Sequence, residues 1–373
     1  MSPQHPPAGQ ERVAVWCRAW QRRSRRDLTQ GNSGGCVSNI KGLDLFCGAG
    51  GSSLGARAAG VEMVGAVDAW DIAAETYKDN FPHAEVITTR LDDNSGAGLF
   101  SKVDSVDLLI ASPECTHHSI ARGAKPRCES SRRSGWYVMP FVRAYEPRWI
   151  VLENVSGMRR WDGYKELINE LGEHYHLRAQ MLDAANFGVP QTRKRLFILG
   201  DRLRKPAKIL GGQPCPDAMT ILDDPSAWKA RPVSDGHLSE NTIARIKRGM
   251  AELGEREDFL VVYYGSDRAG GWQPLDRPIR TLTTLDRFGL VRWVDGVATF
   301  RMLQVSELRR AMGYPEGAKL ERGSRRDRVK LLGNGVCPPV MQTVVESLTH
   351  QAAEKLGSSS KARVGGRQIA IAA

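Results

Sequence analysis

The fold is decided by the stretch Leu43-Asp44-Leu45-Phe46-Cys47-Gly48-Ala49-Gly50-Gly51, an apolar run that enters a glycine-rich turn. A helical pattern opens at residues 52–54, so a strand, a turn and a helix follow one another. Glycine at such a turn lets the backbone approach a nucleoside or amino-acid ligand closely. Taken alone the signal is weak, because a tight turn with a purely structural role has the same sequence pattern.

Strand and helix patterns alternate from this turn to about residue 200. The apolar strand candidates are 41–46, 62–67, 108–111, 149–152, 176–182 and 195–199, with helical patterns between them such as 72–80 and 164–171. This alternation predicts an α/β fold with a doubly wound, mostly parallel sheet covered on both faces. Ligands of such sheets bind beyond the carboxyl ends of the strands, so residues at those ends are the functional candidates.

An acidic residue ends the second predicted strand. Asp68 lies about 20 residues beyond the glycine turn, where a carboxylate can accept hydrogen bonds from both hydroxyls of a ribose. An aspartate that only caps the next helix would look the same in sequence. The position nevertheless favours a nucleoside-containing cofactor.

A cysteine and a glutamate follow two further strands. Cys115 comes after the run 108–111 and Pro113, and Glu153 directly follows 149–152. A thiolate can add to C6 of a pyrimidine, while a carboxyl group holds N3 and offsets the charge that develops on the ring. A dry pocket would raise the pKa of this carboxyl and let it carry the proton. Two alternatives are a buried, unreactive cysteine and a zinc site with the neighbouring histidines 117 and 118, which lacks a second Cys/His cluster downstream.

The composition is compatible with an anionic partner. The 373 residues carry 53 Lys and Arg against 42 Asp and Glu, a net charge of +11. The seven cysteines are scattered and form no CxxC pair, which favours free thiols in a reducing cytoplasm over a disulfide framework or a zinc ribbon. No apolar run approaches the length of a membrane span, and the arginine-rich start lacks the apolar core of a secretion signal.

Two later segments complete the pattern. In Gln191-Thr192-Arg193-Lys194-Arg195, strand alternation sends both arginines to one side, where they can hold a base carbonyl and a catalytic loop. Gly333-Asn334-Gly335-Val336 precedes an amphipathic helical pattern at 340–352. In chain order with the glycine turn, Cys115 and Glu153-Asn154-Val155, these segments resemble the DNA cytosine C5-methyltransferase family. The resemblance runs from about residue 41 to 356 and is weak only at 201–300.

The resemblance implies methyl transfer from S-adenosylmethionine to C5 of a flipped-out cytosine in duplex DNA, through a covalent bond between Cys115 and C6. In this scheme Glu153 holds N3, Arg195 contacts the base and Arg193 braces the cysteine loop. It implies neither a metal nor a membrane, and we expect a monomer acting in a bacterial or phage-like cytoplasm as part of a restriction-modification system. The implied cofactor residues are Phe46, Gly48, Gly50, Asp68, Asn334 and Val336, and the implied DNA contacts are Ser119, Arg122, Gln191, Thr283 and Arg287.

The sequence departs from the family pattern at three places. Glu114-Cys115-Thr116 stands where the family usually has Pro-Cys-Gln, so the rim of the thiol is altered. Asp68 replaces the more usual glutamate. Ala69 replaces an aromatic residue, with Trp70 one position later. The acid that contacts adenine has no firm counterpart, and residues 92 and 93, both aspartates, are only candidates.

We expect four regions: a flexible basic arm at 1–39, a catalytic and cofactor-binding domain built from 40–200 plus 330–356, a smaller target-recognition domain and hinge at 201–329, and a flexible tail at 357–373. Two apolar runs, 259–264 and 279–284, are strand-like, and 281–287 is the candidate recognition loop. Alternative functions are methylation of tRNA cytosine on the same scaffold, transfer of a different group from a modified sulfonium donor, and DNA binding without catalysis.

Overall fold

A seven-stranded sheet forms the centre of the larger part of the molecule in a computed structural model, which describes residues 39–114, 133–254, 256–264 and 271–349. Its strands are β1 (Lys41–Leu45), β2 (Glu62–Asp68), β3 (Glu85–Thr88), β4 (Leu108–Ala111), β5 (Trp149–Asn154), β6 (His176–Asp183) and β7 (Lys194–Asp201). They are ordered β3-β2-β1-β4-β5-β7-β6. The first five run parallel, and β7 pairs antiparallel with both β5 and β6. The predicted doubly wound, mostly parallel sheet is confirmed.

Alternation along the strands explains why both faces of this sheet are covered. In β4, Leu108 and Ile110 belong to one apolar core, whereas Leu109 and Ala111 belong to another. A strand buried on both faces is therefore apolar throughout. The first core is shared with α1 (Gly51–Ala58), α2 (Asp71–Asn80) and a helix at 338–349, and the second with α3 (Met139–Tyr145) and α4 (Tyr164–His174).

A second, smaller sheet is antiparallel and has the order β10-β9-β11-β12-β8. Its strands are β8 (Arg231–Pro232), β9 (Phe259–Val262), β10 (Trp272–Pro274), β11 (Phe288–Val294) and β12 (Val297–Met302). A helix that we did not predict, α5 (Glu240–Leu253), begins with the Ser239 hydroxyl accepting from the Thr242 N–H. It packs Ile246 against Phe259 and Val291 of the sheet.

One strand prediction is wrong. The run 279–284 forms no strand, and within it Ile279 makes an isolated bridge to Gln191. Its backbone groups are taken by side chains instead, because Gln191 accepts from the Leu282 N–H and Tyr264 donates to the Thr281 carbonyl. The run 259–264 does contain the predicted strand, β9.

The last described segment returns to the large sheet. It contains α6 (Val305–Ala311), α7 (Arg325–Asn334) and, after a break at 335–337, the helix at 338–349, which begins two residues before the predicted start. We call residues 325–349 the return segment. Among the described helices none is long and apolar enough to cross a membrane. Of the predicted flexible arm (1–39) and tail (357–373), only residue 39 lies within the described residues.

Candidate active site

A cavity of about 460 Å³ opens at the carboxyl edge of the large sheet, where the strand order reverses between β1 and β4. Register explains its composition. Leu45 pairs with both Val67 and Ala111, and Ala111 pairs with Leu152. The next residue of each strand therefore falls in one row across the sheet, and all four of these residues line the cavity: Phe46, Asp68, Ser112 and Glu153. This edge is where doubly wound sheets bind ligands.

The glycine turn shapes one wall of the cavity. Phe46, Gly48 and Gly50 have φ angles of 60°, 52° and 83°, a left-handed backbone that glycine adopts without strain. Gly51 lies so close to the return segment that a Cβ there would collide with the Val336 carbonyl, and also with the hydroxyl of Tyr314, which precedes that segment. The turn and the return segment therefore pack directly on each other, which brings residues nearly 300 positions apart to one wall.

Asp68 is fixed in this wall by the backbone. Its carboxylate accepts from the Gly48 N–H at 2.8 Å and from the Trp70 N–H at 2.9 Å. Burial raises the pKa of Asp68, and the hydrogen bonds from Trp70 and Gly48 oppose the rise. Each carboxylate oxygen has a second lone pair, so both can still accept from hydroxyls of a ligand.

Trp70 lines the same cavity, one residue beyond the position where the family has its aromatic side chain. The ammonium of Lys330, from the return segment, lies 4.0 Å from the centre of the Trp70 ring, a cation–π contact. The aspartates suggested for adenine, Asp92 and Asp93, do not line the cavity; Asp92 accepts from Ser95 and Asp93 pairs with Arg133 at 3.5 Å.

Glu153 and Arg195 form an ion pair in the cavity wall, with Nε and Oε1 separated by 3.2 Å. The Glu153 side chain is only 8% exposed. Burial raises the pKa of Glu153, and the charges of Arg195 and Arg193 oppose the rise. The neighbouring Asn154 donates to the Pro113 carbonyl at 3.1 Å and so fixes the start of the segment that leads to the predicted nucleophile.

Arg193 and Gln191 are buried beside this wall. Arg193 donates to the carbonyls of Leu282, Gly333 and Gly335 at 2.8–2.9 Å. The side-chain amide of Gln191, fully buried, donates to the Ala311 carbonyl and accepts from the Leu282 N–H. In this conformation no part of Gln191 is open to DNA, and its predicted contact there stays a prediction.

The structure brings most of the predicted residues together. Five of the six predicted cofactor residues line the cavity, as do Glu153 and Arg195. The sixth, Gly50, shapes the turn, since a Cβ there would lie 3.0 Å from the Phe81 ring. Thr283 and Arg287 lie in the smaller part, where Arg287 donates to the Tyr263 carbonyl. The remaining predicted residues lie outside the described ones: Cys115, Ser119 and Arg122.

Sequence reasoning missed two cavity-lining residues with charged side chains. Arg90, just beyond β3, pairs with Glu114 at 2.6 Å, and both line the cavity. Glu114 had drawn attention as a departure from the family, but no sequence signal linked it to Arg90. Lys330 was also missed, because the helix that carries it was not predicted. Within the described ranges no group of three or more His, Cys, Asp or Glu side chains is placed to hold a metal ion.

Comparison with known proteins agrees with this geometry. A sequence profile of the C-5 cytosine-specific DNA methylase family matches residues 40–350. The chain belongs to this family. Members of the family use S-adenosylmethionine as the methyl donor, so the predicted family and the predicted cofactor are both confirmed.

The relatives include bacterial enzymes of one kind. The Type II methyltransferase M.HgiDI of Herpetosiphon aurantiacus is 35% identical over 192 residues, which are 49% of this chain and 60% of that protein. This match thus spans less than two thirds of the relative's length. The Type II methyltransferase M.AplI of Arthrospira platensis is 28% identical over 324 residues, 83% of this chain and 86% of that protein.

The fold of the family is also found by structural comparison. The crystal structure of the S. pombe Dnmt2 methyltransferase matches with a TM-score of 0.59 at 18% identity, over 85% of this chain and 99% of that chain. At this identity the likeness concerns the fold alone, and it supports the doubly wound sheet described above.

Proposed function

We propose that this methylase family member transfers a methyl group from S-adenosylmethionine to C5 of cytosine in duplex DNA. The observation that supports the proposal is that the candidate donor-binding residues and the candidate base-binding residues line one cavity. Asp68 and the glycine turn lie on one side, and Glu153 with Arg195 on the other. The donor fits these residues, because a half-buried carboxylate held by two backbone N–H groups suits a ribose.

The covalent step is assigned to Cys115, which follows the cavity-lining Glu114 directly in the chain. Its thiolate adds to C6 and makes C5 nucleophilic. Glu153 gives or shares a proton at N3 and so offsets the charge on the ring. The donor supplies an activated methyl group at its sulfonium. C5 takes the methyl group and S-adenosylhomocysteine is left as the product of the donor. Loss of the C5 proton then expels the Cys115 thiolate, and return of the N3 proton to Glu153 restores the ring.

Burial and Arg195 have opposite effects on the protonation of Glu153. Burial raises the pKa of the carboxyl, and the guanidinium 3.2 Å away opposes the rise. A base that displaces water from the cavity strengthens the first effect. We infer that Glu153 takes up the proton as the cytosine enters, when the pair with Arg195 is exchanged for contacts of both groups with the base.

The base must leave the duplex to reach this cavity, so base flipping is part of the proposal. We assign target recognition to the smaller part, 201–329, with Thr283 and Arg287 on its candidate loop. The Ser119 and Arg122 contacts to the DNA backbone, a monomeric state, the flexible terminal arms and a partnership with a restriction enzyme belong to the same proposal. The bacterial relatives are named Type II methyltransferases, which supports a modification role.

Mass spectrometry of nucleosides tests the proposal. Unmethylated duplex DNA and bulk tRNA are each incubated with S-adenosylmethionine and the protein, then digested to nucleosides. We expect 5-methylcytosine in the DNA alone. Methylation confined to tRNA, or a mass increment other than that of a methyl group, would support one of the two alternative reactions instead.

Two matched glutamate variants sharpen this test. Glu153→Gln keeps the shape of the side chain but cannot give a proton, so we expect kcat to fall by about 10²–10⁴-fold. Glu173→Gln makes the same change at an exposed position of α4 and should leave the rate unchanged. Equal rates for the two variants would contradict the role of Glu153.

A further inference from the structure

One residue of the candidate recognition loop, Leu282, is hydrogen-bonded through both its N–H and its carbonyl to side chains of the 191–195 segment. The Leu282 N–H donates to Gln191 Oε1 at 2.8 Å, and the Leu282 carbonyl accepts from Arg193 Nη1 at 2.9 Å. Both side chains are buried, at 0% and 3% exposure, and they project from positions two residues apart. Because the N–H and the carbonyl of Leu282 are both engaged, the loop cannot shift at this residue without breaking a buried hydrogen bond.

The second terminal nitrogen of the Arg193 guanidinium reaches the wall of the donor cavity. Its Nη2 donates to the carbonyls of Gly333 at 2.8 Å and Gly335 at 2.9 Å. Asn334, Gly335 and the following residue line the cavity. One guanidinium therefore spans from the recognition loop to the donor wall, and its planar fork of donors has the geometry for this.

The recognition loop and the wall of the donor cavity are also in direct contact. Gly333 packs so tightly on residue 283 that a Cβ would collide with the Thr283 carbonyl. The direct contact and the guanidinium bridge join the same two segments at neighbouring residues. If a ligand in the cavity moves residues 333–335, these contacts would pass the movement directly to residues 282–283.

We propose that Gln191 and Arg193 are positioning residues that couple occupation of the donor cavity to the position of the 281–287 loop. The inference rests on the proposed function, in which this cavity takes S-adenosylmethionine and this loop meets DNA. It replaces a direct contact of Gln191 with DNA by an action through Leu282. Order in the loop then depends on the donor site being filled, and a filled donor site is favoured once the loop is engaged, since such coupling is reciprocal.

Hydrogen exchange of the DNA-free protein with S-adenosylhomocysteine as the probe tests the coupling. In the wild type, we expect saturating S-adenosylhomocysteine to slow exchange of the Leu282 amide by about 10-fold, within the range of coupling usual between two sites. In Arg193→Lys, one ammonium cannot bridge both segments, so the slowing should disappear while the Kd for S-adenosylhomocysteine changes by less than about 5-fold.

A control variant separates coupling from simple loosening of the loop. Tyr264 donates to the Thr281 carbonyl at 2.7 Å and does not line the donor cavity. Tyr264→Phe should speed exchange of the loop with and without the probe, but the ratio between the two states should stay near the wild-type value. If Tyr264→Phe abolishes the response as fully as Arg193→Lys, the coupling role is contradicted.

A second variant covers the case in which Arg193→Lys does not fold. Gln191→Met keeps the length of the side chain but cannot accept from the Leu282 N–H. Its response is therefore followed at the amides of residues 283–287, where it should also be lost. The wild-type measurement alone can overturn the coupling. If S-adenosylhomocysteine binds without changing hydrogen exchange in the loop, the coupling is wrong and the proposed function is unaffected. Absence of S-adenosylhomocysteine binding would overturn the proposed function itself.

Discussion

At the scale of single residues, carboxylates under different constraints surround the donor cavity. Asp68 faces the cavity and is held by two backbone N–H groups. Asp44 does not line the cavity and is fully buried, with one oxygen accepting from the Ser53 hydroxyl at 2.6 Å and the other accepting from none of the described residues. The first is available to a ligand, whereas the second is enclosed by protein. Substitutions at the two positions should therefore have different consequences.

Removing the Asp68 carboxylate should weaken donor binding. We expect Asp68→Ala to cost about 1.5–3 kcal/mol of binding free energy for S-adenosylmethionine, the scale of hydrogen bonds to a charged group. Asp71→Ala, three residues later on the exposed start of α2, is the matched control and should leave the affinity unchanged. Calorimetry that gives the two variants equal affinities would move the ribose site elsewhere.

Asp44 should make stability depend on pH. Burial raises the pKa of Asp44 to about 7, opposed by the hydrogen bond from Ser53 and assisted by the charge of Asp68. Between about pH 4 and pH 7 the folded protein then keeps a proton that the unfolded chain loses, so stability falls as pH rises through this window.

Denaturant unfolding of Asp44→Asn measures this effect. The asparagine cannot ionise, so the free energy of unfolding of the wild type relative to the variant should fall by about 2–3 kcal/mol from pH 5 to pH 8. Most of the loss should occur below pH 7, with little further change above about pH 8. A difference that stays constant with pH would mean that Asp44 is ionised in the folded protein throughout.

At the scale of elements, strand positions and the glycine turn could be predicted largely from the sequence. Hydrogen bonds from distant side chains to the backbone could not. The strands at 41–46 and 108–111 were predicted nearly to the residue, because apolar alternation and strand-end polarity agree. The run 279–284 has an equally strong local preference for a strand. It fails to form one because Gln191 and Arg193, about 90 residues earlier, take the N–H and the carbonyl of Leu282. Such a competitor is invisible to local patterns.

The contact of the glycine turn with the return segment gives an element-scale prediction. Gly51→Ala should cost about 1–3 kcal/mol of stability, because the new methyl group would collide with the Val336 carbonyl. Gly172→Ala, in the exposed part of α4 with open space around it, should instead stabilise by about 0.5–1 kcal/mol. Thermal unfolding of the two variants tests this prediction. If both are stabilised, the glycine turn and the return segment are not in close contact.

At the scale of the whole molecule, the candidate site is assembled from distant parts of the chain. The row Phe46, Asp68, Ser112 and Glu153 follows from parallel register and was predictable once the strands were placed. The return of Asn334 and Val336 to the same cavity came from resemblance, since nothing in their local sequence indicates which sheet they contact. The region 201–300 was the least predictable, because its small antiparallel sheet pairs short strands across long loops, and α5 went unrecognised.

The central claim is that Cys115 attacks a cytosine that is bound in this cavity. The most direct measurement is mass spectrometry of the protein after incubation with S-adenosylmethionine and duplex DNA containing 5-fluorocytosine. Fluorine at C5 cannot leave as a proton does, so the enzyme should stay bound to C6 after methyl transfer. We predict a denaturation-resistant adduct that requires S-adenosylmethionine, maps to the peptide with Cys115 and is absent in Cys115→Ser. An adduct that persists in Cys115→Ser, or that maps to Cys128, would contradict the account.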